Sequence, residues 1–263
     1  MPAEKPQPRL LTIPISHYCE KARWALERAA IDYTEVPHVQ LIHRLVAMRT
    51  GAGRKVPILL TGEGALAESA AIVRWADRDL PPERRLVWDA DAAEIAELER
   101  GFDEQLGPEG RRWMYASILG TDIPFRFGGD TLPAWERRAL PLGMPVMKLY
   151  ARRVLDAAPA QAASALAVVD SSFDEVAERI SDGRPYLLGE RFSAADLAFA
   201  ALSAPVLMPR RYGARLPQPA DLPAAVAPTV ERLREHPAGR FAARLVAEER
   251  PWPPRNTGAQ AIL

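Results

Sequence analysis

Four apolar runs of strand length alternate with three helical repeats over residues 10–80, and no further period-2 segment follows Pro82. That order admits few folds, because strands separated by helices build an α/β layer whose parallel pairs need right-handed crossovers. Residues 10–15 (LLTIPI) form a buried-strand run, and Ser16 stands where a helix cap belongs. Over 17–30, Ala22, Ala25, Leu26 and Ala29 mark one helix face, with Glu20, Arg23 and Glu27 as a charged flank. Residues 33–36 read as a strand and 41–48 as a helix closed by Thr50-Gly51-Ala52-Gly53. A strand over 56–61, a Gly62-Glu63-Gly64 turn and Ala65-Leu66-Ala67 come next, and Glu68-Ser69 opens a helix stopped by Pro81-Pro82. The predicted order is β-α-β-α-β-β-α.

Helical periodicity dominates afterwards, at 90–105, 112–119, 132–154, 160–180, 194–208, 222–234 and 240–249. The expected organisation is an α/β domain over 1–82, a linker over 83–88, an all-α domain over 89–250 and an extended tail over 251–263. Ser193-Ala194-Ala195-Asp196 is a capping box, flanked by Phe192 and Leu197 as a hydrophobic staple. Apolar residues make up 48% of the chain, enough for a sizeable core. Thirty-four basic groups balance 34 acidic ones, so no long-range field draws nucleic acid or anionic lipid, and only a local basic patch could do so. The single cysteine, Cys19, excludes an intramolecular disulfide, and the expected compartment is the cytoplasm. The first nine residues lack a signal-peptide core, and the longest apolar stretch, 197–208, is too short to span a bilayer. His17, His38, His43 and His236 show no metal-ligand spacing, so no metal site is expected.

Three short features carry chemistry. Val56-Pro57 enters a strand, where a cis bond would turn main-chain groups outward toward an extended peptide ligand; an ordinary trans edge-strand proline is the alternative. Glu68-Ser69 begins a helix, where free amides and the dipole attract an anion unless the pair is only a cap. Ser16 offers a hydroxyl beside the first amides of the opening helix, in the run Ser16-His17-Tyr18-Cys19. A thiol of pKa about 8.5 is only about 3% ionised at pH 7. Lowering that pKa by about two units takes about 2.7 kcal/mol, which a hydroxyl donor and helix amides can largely supply.

In this order, and with Arg184-Pro185-Tyr186-Leu187-Leu188-Gly189 preceding the capping box, these features resemble the cytosolic glutathione S-transferases, Ser-type bacterial members in particular. The resemblance covers nearly the whole chain. It implies an N-terminal thioredoxin-like domain, a C-terminal helical-bundle domain and a two-fold homodimer. It also implies glutathione as co-substrate with no permanently bound cofactor, no nucleic acid and no membrane partner. By resemblance, Val56 pairs with the cysteinyl main chain, Pro57 is the cis proline, Ser69 holds the γ-glutamyl carboxylate and Glu68 serves the ammonium end. Lys55, before Arg54 and His43, is the candidate for the glycyl carboxylate. Ser16 donates to the thiolate, with Tyr18 and Cys19 as alternatives. The second substrate would be an apolar electrophile against the helix of Arg111, Arg112, Trp113, Met114 and Tyr115, with Phe125 and Phe127 beyond; Trp113 and Tyr115 are the named pocket candidates, and both also fit a core. Arg210-Arg211-Tyr212 reads as an anionic rim or a solvated cluster. Thiol exchange or peroxide reduction, through Cys19 or the bound thiolate, and a non-catalytic ligand-binding role stand as the competing readings.

Overall fold

The structure, a computed structural model, describes residues 6–252 apart from Gly128 and the Phe125 side chain. The expected tail therefore lies outside the described residues beyond Trp252. Strand β1 (Arg9–Thr12) is shorter than the apolar run that encodes it, since Pro14 has no N–H for a sheet ladder. Helix α1 (His17–Arg28) follows, then β2 (Thr34–Pro37), α2 (Ile42–Arg49), β3 (Ile58–Thr61), β4 (Gly64–Ala67) and α3 (Ser69–Asp77). The sheet order is β2-β1-β3-β4, with β1 parallel to β2, antiparallel to β3, and β3 antiparallel to β4. This is the predicted β-α-β-α-β-β-α unit.

Register decides where the functional segments fall. Leu11 pairs with Ile58, and Ile58 with Ala67. The turn leaving β1, the Val56–Pro57 segment entering β3 and the Glu68-Ser69 step leaving β4 therefore share one end of the sheet. The Val56–Pro57 bond is cis.

Everything after α3 is helical: α4 (Ala92–Gly101), α5 (Gly107–Ile118), α6 (Ile123–Arg126), α7 (Ala134–Val154), α8 (Ala162–Arg179), α9 (Ala194–Leu202), α10 (Ala204–Leu207), α11 (Ala227–Glu235) and α12 (Pro237–Glu248), with short 3-10 turns between. The sequence pattern predicts separate helices over 90–105 and 112–119, yet a π-helical turn over Phe102–Leu106 carries α4 directly into α5. The wider turn accommodates Pro108 without ending the helix. Gly107 is required for a separate reason: a Cβ there would lie 2.6 Å from Tyr18 Oη, so only glycine lets α5 approach the opening of α1.

One continuous core joins the two halves, running from Leu10, Leu26, Leu59 and Ile72 to Phe173, Phe199 and Leu202. Helix α1 lies inside it, and its charged flank is buried rather than solvated. Arg23 donates to Glu35 Oε1 through Nε at 3.0 Å and to Glu20 at 3.2 Å. Arg250, at the far end of the chain, donates to Glu20 at 2.9 Å and pairs with Glu27, which also accepts from Tyr33 Oη at 2.8 Å. Lys21 meets Glu99 at 3.0 Å and Asp103 at 2.7 Å. Mutual neutralisation is what makes this burial tolerable.

The capping box forms as read. Asp196 N donates to Ser193 Oγ at 3.3 Å, Ser193 N to Asp196 Oδ2 at 2.9 Å, and Leu187 N to Asp196 Oδ1 at 2.8 Å. Replacing Asp196 with alanine strands two buried amides, so urea denaturation should show Asp196→Ala less stable by about 3 kcal/mol. A loss within experimental error would mean that the loop over Tyr186–Gly189 does not depend on this carboxylate.

Candidate functional site

Ser16 is half-buried and in extended conformation, and its Oγ accepts from Cys19 N at 3.4 Å as the cap of α1. The hydroxyl also lies against the Cys19 thiol. A neutral thiol is a weak acceptor, so an incoming thiolate would take the Ser16 proton in preference. Cys19 itself has no solvent exposure, and burial raises its thiol to about 11 against the smaller opposing influence of Arg23. Tyr18 Oη is occupied, donating to the Asp103 carbonyl at 2.7 Å, and burial pushes its phenol up. Of the three candidates at this turn, Ser16 is the one whose polar atom is neither buried away nor given to a carbonyl.

At the same sheet end, Glu68 caps α3 with its backbone at φ +73°, and its side chain makes no capping bond. The first-turn amides of α3 are thus open to an exogenous anion. Ser69 is buried at that opening, while Glu68 projects into solvent. Lys55 and Arg54 are exposed, and neither has an ion pair among the described residues. His43 differs from them: it is buried, accepts from Leu41 N at 3.2 Å, and desolvation lowers its pKa to about 4. A neutral imidazole at pH 7 supplies no charge to a carboxylate, which separates His43 from the two exposed cations.

An apolar cleft opens beside Ser16, with an empty volume of about 880 Å³ that includes solvent space at its mouth. Ile13, Pro14 and Ile15 from the turn before Ser16 form one wall; Tyr115, Met147 and Tyr212 face them from the helical half. Hydrogen bonds set the spacing of these walls. Tyr212 Oη donates to the Ile15 carbonyl at 3.0 Å, and Tyr115 Oη to Gln40 Oε1 at 3.1 Å. Glu136 on α7 takes Val39 N at 2.7 Å and His38 Nδ1 at 2.6 Å. Trp113 does not line the cleft: it is 4% exposed and belongs to the main core. Phe127 lines it, and the Phe125 side chain lies outside the described residues. Arg210 and Arg211 are exposed, and Arg211 donates to the Ala247 carbonyl, so Tyr212 alone of that trio enters the cleft.

Sequence reading undervalued Arg111. Its positive charge acts on His17, Tyr18 and Tyr115 together, so both the opening turn of α1 and the Tyr115 wall feel the same cation. Among the described residues no carboxylate pairs with it, and its buried Nε has no hydrogen-bond partner. Burial, reinforced by Arg111, holds the His17 imidazole well below its usual range, so it stays neutral there. Arg111 sits within α5 beside Arg112, and no local sequence signal separates the two. Among the described residues no cluster of His, Cys, Asp and Glu could hold a metal ion.

Comparison with known proteins fits this arrangement. Residues 10–84 match the family model of the glutathione S-transferase N-terminal domain, and residues 150–203 that of the C-terminal domain. The chain belongs to the glutathione S-transferase family. A glutathione S-transferase from Xanthobacter autotrophicus Py2 is similar at 18% identity and TM-score 0.57, covering 94% of this chain and 97% of that one. One from Ceriporiopsis subvermispora, solved in complex with glutathione, is 16% identical with TM-score 0.61 over 91% and 95%. Another from Methylobacillus flagellatus KT, with glutathione bound, is 16% identical with TM-score 0.56 over 92% and 95%. No curated protein matches.

Two outcomes follow from the site's construction. Native protein at about pH 8 should leave Cys19 unmodified by iodoacetamide, with alkylation appearing on denaturation; mass spectrometry reads this, and rapid native modification would place the thiol at the surface. Glu68→Gly removes a left-handed strain worth about 1–3 kcal/mol and adds chain entropy, so unfolding should show a net gain of about 1 kcal/mol.

Proposed function

We propose that this protein is a glutathione transferase that holds the glutathione thiol as a thiolate at Ser16 and directs it at an electrophilic, largely apolar molecule in the adjoining cleft. The observation that carries the reading is the meeting of a half-buried hydroxyl at a helix N-terminus, a cis Val56–Pro57 segment and the open amides of α3 at one sheet end, with an apolar cleft beside them. Val56 then pairs main chain to main chain with the cysteinyl residue, Ser69 and its amide bind the γ-glutamyl carboxylate, Glu68 faces the ammonium group and Lys55 meets the glycyl carboxylate. Structures of the same fold solved with glutathione support glutathione as the ligand.

Chemically, the thiol proton leaves to solvent, and the Ser16 hydroxyl donates to the sulfur anion that remains. Arg111 adds a positive potential over the same turn, favouring the ionised form. The sulfur attacks the electrophile, the new C–S bond forms and the leaving group departs with the bonding pair; Tyr115, whose hydroxyl donates to Gln40 Oε1, serves as part of the cleft wall against the electrophile. Cys19 takes no part, because its thiol is closed off from solvent. The reading carries with it a cytoplasmic homodimer.

Ser16→Ala should retain glutathione on an affinity matrix while kcat/KM for an aryl halide falls at least about tenfold, equivalent to about 1.4 kcal/mol. The pH profile of that variant should move to the alkaline side, since the thiolate loses a donor. Unchanged kinetics would remove Ser16 from the chemistry, and apolar-ligand affinity with no glutathione retention would turn the reading toward a carrier.

A further inference from the structure

Charge is segregated on this protein in a way its balanced total conceals. Residues 36–62 contain Arg44, Arg49, Arg54 and Lys55 and no Asp or Glu. Residues 131–155 contain Arg137, Arg138, Lys148, Arg152 and Arg153, with Glu136 as the sole acid, buried and engaged by His38. Arg49, Arg137, Arg138, Lys148, Arg152 and Arg153 have no ion pair among the described residues, whereas most arginines elsewhere are paired with a carboxylate or bound to a carbonyl.

Exposed apolar side chains follow the same distribution. Of the eight large ones exposed among the described residues, seven lie on α2 and α7: Leu45 and Met48 on the first, Trp135, Leu142, Val146, Leu149 and Val154 on the second. Leu142, Val146 and Leu149 fall on one face of α7 at i, i+4 and i+7, and Leu142 is 85% exposed. Arg137 and Arg138 stand at one end of that strip and Arg152 and Arg153 at the other. Arg44 of α2 donates to Tyr150 Oη of α7 at 3.0 Å, which ties the two helices together at that point.

We propose that the outer face of α7, with the adjacent face of α2, docks onto an anionic lipid surface. An apolar strip flanked by unneutralised arginines, with a tryptophan at one end, is how a helix lies in the headgroup layer without crossing it. No helix among the described residues is long and apolar enough to span a membrane. A second copy is disfavoured by charge: packing α7 against α7 in either direction sets arginines against arginines at both ends. The strip lies apart from the cleft beside Ser16, which α7 lines with Leu140 and Met147 instead. The inference does not depend on the glutathione chemistry.

The test is sedimentation of the full-length protein with vesicles of phosphatidylcholine alone or mixed with phosphatidylglycerol. Binding is expected to the mixed vesicles only, and it should weaken at least about tenfold in high salt or in Arg138→Glu with Arg153→Glu. Leu142→Asp with Val146→Asp should abolish binding while circular dichroism and the melting temperature stay unchanged. No sedimentation with anionic vesicles at low salt overturns the proposal, as does binding that survives the double aspartate variant. A shift from dimer to monomer in that variant by sedimentation velocity, or capture of an acidic helical peptide without vesicle binding, assigns the face to protein and overturns it equally.

Discussion

Burial of α1 is the constraint on which the rest of the molecule depends. Glu20, Lys21, Arg23 and Glu27 project from this one helix, and all four are almost wholly removed from solvent. Removing one partner from a buried ion pair typically costs about 3–5 kcal/mol, because the survivor is left uncompensated. The partners of α1 are Glu35 from β2, Glu99 and Asp103 from the α4 region, Tyr33, and Arg250 just past α12. Any rotation of the helical half against the sheet would expose several charges at once. The opening turn of α1, where Ser16 stands, is held by that same set of contacts, so the position of the hydroxyl is fixed by electrostatics two turns away.

This coupling explains which parts of the structure were legible in the sequence. Strand order and the helical second half came from local periodicity, and the capping box from four adjacent residues. The burial of the charged flank of α1 was not legible, because nothing near Glu20 or Arg23 announces that Glu35 and Arg250 will close over them. Trp113 and Tyr115 illustrate the same limit at the cleft. Two residues apart on α5, they fall on different faces, and only tertiary packing sends the indole into the core and the phenol to Gln40. Helices read separately over 90–105 and 112–119 join through Gly107, whose missing side chain lets Tyr18 come close. Each misreading involves a contact between residues far apart in the chain.

The cleft is likewise a product of long-range contacts rather than of any one motif. Its N-terminal walls are loops, and the helical half positions them through Tyr212, Tyr115 and Glu136. Loops held by three separate hydrogen-bonded anchors keep their spacing without a filled interior between them. Apolar lining with few polar groups constrains shape more than chemistry, which is why the site defines a class of electrophile and no single molecule.

Helix α7 faces both ways in this scheme. Leu140 and Met147 line the cleft, while Leu142, Val146 and Leu149 point outward between arginines. The same transfer free energy that would seat the outer face against lipid also concentrates apolar electrophiles in a bilayer. A protein resting on that surface through α7 would hold the wall of its cleft one helix diameter, about 10 Å, from the lipid phase. Substrate would then leave hydrocarbon for an apolar cleft with little aqueous path between, whereas glutathione, charged at both ends, would arrive from water at the sheet end where Glu68 and Lys55 are exposed. The two reactants would thus approach the Ser16 turn from phases that match their own polarity.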